Sequence, residues 1–224
     1  MTQLVGGFLV RFASTVSLKQ KVQPAWNFDY YYRHSRMMTL AEPGDLVFFG
    51  KITSSDAFEQ AVIDVVPGNM FHIAIVKDKT TLIHAASDGV VEESLDDVIA
   101  TQQPHYVELC RVKLPLAVKI HALGVAMQAL GTAYNDLFMP DCLNSKGQKA
   151  FYCSQLITEA YTGENMQFPE HKLQFGSGET LKYWEKFYEE RGRKIPIDEP
   201  GSHPSQLRRS PQLEQLSLRD FRRP

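Results

Sequence analysis

The sequence predicts an α+β fold in which an antiparallel β-sheet packs against helices. Three observations carry this. Five short runs rich in β-branched and aromatic residues fall between residues 46 and 112, close together and with short turns, which points to antiparallel pairing. Two segments with helical periodicity follow them. Strands in one block and helices in another mark the α+β class.

The elements follow in order. Glu42-Pro43-Gly44-Asp45 is a turn, and Leu46-Val47-Phe48-Phe49 after it reads as a buried strand. Ser54 to Val66 has helical spacing at Phe58, Val62 and Val65, and Pro67-Gly68-Asn69 ends it. His72–Val76, Thr81–Ala85, Gly89–Glu93 and Tyr106–Val112 read as four further strands. Leu116, Ile120, Leu123, Met127 and Leu130 then mark the apolar face of a helix. Cys153, Leu156, Ile157 and Ala160 mark a second such face, and Leu181, Trp184 and Tyr188 a last helix.

Composition bounds the function. The 224 residues are 43% hydrophobic and 22% charged, an ordinary globular mix that suits one domain with terminal extensions. Lys+Arg number 24 against 26 Asp+Glu, a net charge of −2, so no basic field points to a nucleic-acid partner. No apolar run is long enough for an integral membrane segment. Three cysteines, Cys110, Cys142 and Cys153, cannot form a closed disulfide set and contain no CxxC pair. A reducing, intracellular setting follows, cytoplasmic or mitochondrial.

Residues 1–37 read as an N-terminal extension. Its first 28 residues carry Arg11, Lys19 and Lys21 and no acidic residue, the composition of a transit peptide or of a plain basic segment. Residues 38–192 form the globular body. Residues 193–224 read as a disordered tail. Four Pro, four Ser and five Arg fall within 200–224, with Phe221 the only aromatic, and such a stretch suits docking of a protein partner.

The chemistry-bearing candidates are few. Cys153, between a polar loop and an apolar helix, falls in the first helical turn. There the unpaired N–H groups and positive dipole end favour thiolate. Its place on the apolar face equally fits a small buried hydrophobe. His72 and His84 lie twelve residues apart on neighbouring strands. With a loop of three or five residues they pair directly and share a face; with two or four they face apart. Glu92 and Glu93 are adjacent in a strand and point to opposite faces, so they form no acid/base pair. No phosphate loop or HExxH helix is present, and the two histidines lack a carboxylate at metal-ligand spacing, so no metal or cofactor is implied.

Five segments in order carry a resemblance. They are Gly44-Asp45-Leu46-Val47-Phe48, Phe71-His72-Ile73-Ala74-Ile75-Val76, Ile83-His84-Ala85 with Gly89-Val90, Gly131-Thr132-Ala133-Tyr134-Asn135-Asp136-Leu137-Phe138, and Phe151-Tyr152-Cys153-Ser154-Gln155-Leu156. Together, over about residues 42–162, the chain resembles the circularly permuted NlpC-like papain-fold proteins of the YaeF/YiiX type, a group that also holds the lecithin:retinol acyltransferase-like enzymes. The resemblance implies a small antiparallel sheet against the cysteine-bearing helix. It carries the nucleophile onto Cys153, the base onto His72 and the third polar residue onto His84. Two positions depart from the pattern: Phe71 stands where a serine often precedes the base, and Asn135-Asp136 where an aspartate follows the tyrosine motif.

The function expected is a thiol hydrolase that cleaves an amide, peptide or isopeptide-like, through an acyl thioester. Tyr152 and Tyr134 would shape the substrate site. The alternatives are a lipid acyltransferase or thioesterase with the same chemistry, and a catalytically silent binding module. The substrate is accordingly a small-molecule, peptide or lipid acyl group.

Overall fold

The computed structural model describes residues 37–163, 168–169 and 171–216. The transit-peptide reading of the N-terminal extension concerns residues outside them. The elements are β1 (Leu46–Gly50), α1 (Ala57–Val65), β2 (Met70–Val76), β3 (Thr81–Ala86), β4 (Gly89–Ser94), α2 (Leu95–Gln102), β5 (Tyr106–Val112), α3 (Leu116–Gln128), β6 (Ala133–Tyr134), β7 (Ala150–Phe151), α4 (Cys153–Ala160), β8 (His171–Lys172), α5 (Gly178–Glu189), β9 (Pro200–Gly201), α6 (Pro204–Leu207) and β10 (Leu213–Gln215).

Six strands form one antiparallel sheet in the order β10-β5-β1-β2-β3-β4. Helical layers cover both faces. This explains why β1 and β2 read as unbroken apolar runs and are buried along their whole length. One face carries Leu46, Phe48, Ile73, Ile75 and Ile83 against Ala122, Leu123 and Ala126 of α3 and Leu156 and Ile157 of α4. The other carries Val47, Phe49, Ala74, Val76 and Leu82 against Ile63 of α1, Leu95 and Val98 of α2, and Met37 and Met38. The five expected strands all form, with ends within two residues of those read from the sequence. Helices α1 and α2 interleave with them rather than following as a block.

Two expectations are corrected. Four of the five residues of the apolar face assigned to α3 point outward: Leu116, Ile120, Met127 and Leu130 are exposed, while Leu123 is buried as expected, together with Lys119, Ala122 and Ala126. A buried ion cluster sets this rotation. Lys119 Nζ lies 2.7 Å from Glu42 and 3.4 Å from Asp45, which is fully buried and also meets Arg111. The helix approaches the Gly44 turn so closely that a Cβ there would sit 2.6 Å from Lys119 Cβ; Gly44 also has φ +86°, so glycine suits the site twice over.

The disordered-tail reading of 193–224 fails through residue 216. Leu213–Gln215 pair with β5 as the edge strand, and Leu207 and Leu213 enter the sheet core. Ser205 Oγ accepts from Met70 N–H and donates to Met70 C=O. Few apolar residues suffice here because the backbone finds its partners in the sheet and the polar side chains are satisfied locally. The part of the expected tail that follows residue 216 lies outside the described residues.

Candidate active site

Helix α4 begins where a short parallel pair, β6 with β7, brings Tyr134 beside Phe151. Tyr152 caps the helix with extended backbone and no side-chain cap bond, so Cys153 stands first in the helix beside free N–H groups. The thiol is buried, with 8% exposure. Burial pushes its pKa up to about 12, against hydrogen bonds from the backbone of Ile73, Ser154 and Cys153 itself. The expected tilt toward thiolate is therefore outweighed by desolvation.

The Ile73 contact follows from the sheet. The register recorded between β2 and β3 covers only Ile75–Ile83 and Val76–Leu82. Beside that short stretch, the first turn of α4 meets β2 from one side of the sheet. His72 borders the same region from the other side, where its ring lies 5.5 Å from Phe49 and 6.4 Å from Phe71. Five residues separate Val76 from Leu82, so His72 and His84 do share a face. Direct pairing does not occur: continued, the register sets His84 opposite Ala74 and diagonal to His72.

The diagonal suffices for contact. His72 Nε2 lies 2.8 Å from His84 Nδ1, with the rings edge to face at 80°. His84 is fully buried, and its Nε2 lies 3.2 Å from Glu93 Oε2 on β4. Burial holds His72 well below the ordinary 6.5, and the neighbouring His84 pushes the same way. His84 is also lowered by burial, while the charge and hydrogen bond of Glu93 pull it up. Among the described residues no hydrogen bond joins the Cys153 sulfur to either imidazole.

A cavity of about 560 Å³ collects these groups. Its lining includes Cys153, His72, Tyr134 and Tyr152, with Phe58, Phe138, Phe175 and Trp184 forming an aromatic wall. Burial pushes Tyr152 up to about 12 and Tyr134 well above the usual phenol range, so both keep their protons. The Tyr152 hydroxyl accepts from Ser202 N–H at 3.1 Å. Both departures from the expected motif find roles here. Phe71 lines the cavity beside His72. Asn135, fully buried, donates to Met139 C=O and Gln155 Oε1, pinning the 135–139 loop to α4 and holding Phe138 at φ +55° in the wall.

Sequence reasoning missed Glu93 and His203. The two-residue turn Ser87-Asp88 fixes the β3–β4 register, with His84 opposite Val91 and Leu82 opposite Glu93, so Glu93 shares the face of His84. That hairpin was readable from the sequence. His203 lines the cavity as well; its Nε2–H donates to Val62 C=O and its Nδ1 accepts from Ser205 N–H. Nothing local in the sequence signals this, because Val62 lies 141 residues away. Cys110 and Cys142 stay outside the cavity lining, and burial raises them to about 12 and about 11.

An antiparallel sheet with a cysteine at the mouth of the packed helix, and the histidine ahead of it in the chain, defines a permuted papain-like protein. Residues 40–217 match the permuted papain-like amidase enzymes of the YaeF/YiiX, C92 family, and the chain belongs to that family. Among solved structures it resembles one described as the metalloprotein yiiX from Escherichia coli O157:H7, with a TM-score of 0.65 at 20% identity over 79% of this chain and 96% of that one. The likeness extends to the fold. No curated protein matches. Among the described residues no three His, Cys, Asp or Glu side chains are grouped to hold a metal ion, and no helix is long and apolar enough to cross a membrane.

Proposed function

We propose that the protein is a cysteine amidase that cleaves a peptide or isopeptide-like bond through an acyl thioester on Cys153, with His72 as base and His84 as its partner. The observation that carries this reading is the shared cavity: Cys153 and His72 both line it, and His84 holds the far nitrogen of His72. At rest the pair is a neutral thiol and a neutral imidazole, so proton transfer accompanies attack. The sulfur bonds to the amide carbon while its proton passes to His72. The oxyanion accepts hydrogen bonds from N–H groups at the start of α4. Collapse breaks the C–N bond and His72 returns the proton to the departing amine. Water, giving a proton to His72, then attacks the thioester; the C–S bond breaks, the sulfur regains the proton and a carboxylic acid leaves. Catalytic hydrogen bonds in substrate-free enzymes are often long and tighten in the complex, which suits a sulfur not yet bonded to the imidazole. Tyr152 and Tyr134 border the substrate. The chemistry uses side chains, backbone N–H groups and water, and calls for no cofactor.

One observation favours a second reading, a lipid acyltransferase or thioesterase. The wall of Phe58, Phe138, Phe175 and Trp184 suits an apolar acyl chain better than a polar peptide. Both readings share the first half-reaction, which p-nitrophenyl esters of short and long acids test directly. Intact-mass and peptide mapping should find the acyl group on Cys153, and Cys153→Ala and His72→Ala should remove it. Acylation that persists in Cys153→Ala, or that falls equally on Cys142, would end the proposal. Preference for the long ester over a panel of amides would select the second reading.

A further inference from the structure

We propose that Glu93 is a positioning residue that sets the proton order of the two-imidazole relay, so that His72 presents a bare Nδ1 to the thiol; this rests on the thiol-enzyme reading above. The argument is one of donors and acceptors. An ionised carboxylate only accepts. Glu93 Oε2, 3.2 Å from His84 Nε2, therefore requires the proton on that nitrogen. Neutral His84 then has no proton on Nδ1 and must accept there. Its partner at 2.8 Å, His72 Nε2, must carry the proton. Neutral His72 is left with its lone pair on Nδ1, free to take the thiol proton. The reverse order would set a bare His84 nitrogen against a carboxylate, two acceptors face to face.

The geometry sets the direction without asking Glu93 to take a proton. Its side chain is 35% exposed while the His84 side chain is fully buried, so the carboxylate keeps contact with water. It reaches the buried ring because β3 and β4 form a tight two-residue hairpin whose alternation brings residues 84 and 93 to one face. Its neighbour Glu92 turns away and pairs with Lys77 at 2.6 Å. Among the described residues, Glu93 and His72 are the hydrogen-bonding side chains that meet the His84 ring.

The test uses the full chain with Glu93→Ala, Glu93→Gln and, as control, Glu92→Gln. Nitrogen-15 NMR of the imidazoles reads the tautomers, and iodoacetamide alkylation of Cys153 across pH reads the base. Wild type should show both histidines protonated on Nε2. Glu93→Ala should show mixed tautomers and a fall of about tenfold in alkylation rate, the lower end of the loss seen when a carboxylate orienting a metal-bound histidine is removed. Glu93→Gln, which can still accept through Oε1, should keep the tautomers and recover part of the rate. Glu92→Gln should match wild type. Unchanged tautomers in Glu93→Ala, or a wild-type His72 protonated on Nδ1, would overturn the proposal. Should Glu93→Ala fail to fold, the wild-type tautomers and the Glu93→Gln rate decide it. Failure of the enzyme reading would look different: Cys153 in wild type would react no faster than Cys142 while the tautomer pattern stood.

Discussion

At the scale of single residues, two opposing effects meet on Cys153. A helix N-terminus is worth up to ~2 kcal/mol to an anion. The rise of the thiol from 9.0 to about 12 amounts to ~4 kcal/mol against the thiolate. Desolvation wins, and the resting site holds no preformed ion pair. His72 stays neutral for the same reason, since burial lowers its pKa well below 6.5. As the proposed base, His72 is therefore ready across neutral pH, and that capacity is lost only when pH falls through the lowered value. The acidic limb of the acylation rate should lie below pH 6.5; a limb centred at or above neutrality would contradict it. The cysteine's place at the helix mouth was legible in the sequence, because the change from polar loop to apolar period is local. Its protonation was not, because burial is supplied by residues far along the chain.

At the scale of elements, α3 shows where periodicity misleads. Four of the five residues in its most apolar stripe face water, while Lys119 and two alanines join Leu123 against the sheet. Hydrophobicity alone cannot decide a helix's rotation when a neighbouring turn offers a buried carboxylate and a glycine-sized gap. The strands were legible because β1, β2 and β5 are apolar on the faces they bury, and the β3–β4 register was open to a reader who used the two-residue turn. The rotation yields opposite expectations for adjacent positions. Ile120→Gln, on the exposed stripe, should change stability by no more than about 0.5 kcal/mol. Lys119→Met leaves Asp45 buried with one cation fewer and should cost on the order of 3 kcal/mol. Urea titration of the two variants reads both; a large loss in the first and none in the second would mean that the Ile120 face, not Lys119, packs on the sheet.

At the scale of the whole molecule, residues 200–216 return across the domain and finish both the sheet and the cavity. His203, Pro204 and Gln206 line the cavity while Leu207 and Leu213 enter the core. Leu207 is fully buried, so Leu207→Ala should cost about 2–5 kcal/mol, and a chain ending at residue 192 should lose more than that variant. The same segment couples stability to pH. Burial lowers His203 to about 4, with Arg209 pushing the same way and the Val62 carbonyl bond opposing. Below its ordinary 6.5 the unfolded chain binds a proton that the folded chain refuses until about pH 4. The contribution of neutral His203 is thus full above pH 6.5 and declines as pH falls from 6.5 toward 4, by up to about 3 kcal/mol. His72 and His84, also lowered by burial, add to the decline. His203→Gln should therefore lose less stability than wild type between pH 7 and pH 4, about 3 kcal/mol less at most. Denaturant midpoints measured across that range read the difference. Parallel curves for the two proteins would mean that His203 titrates freely, and that the C-terminal segment does not hold its ring inside the domain.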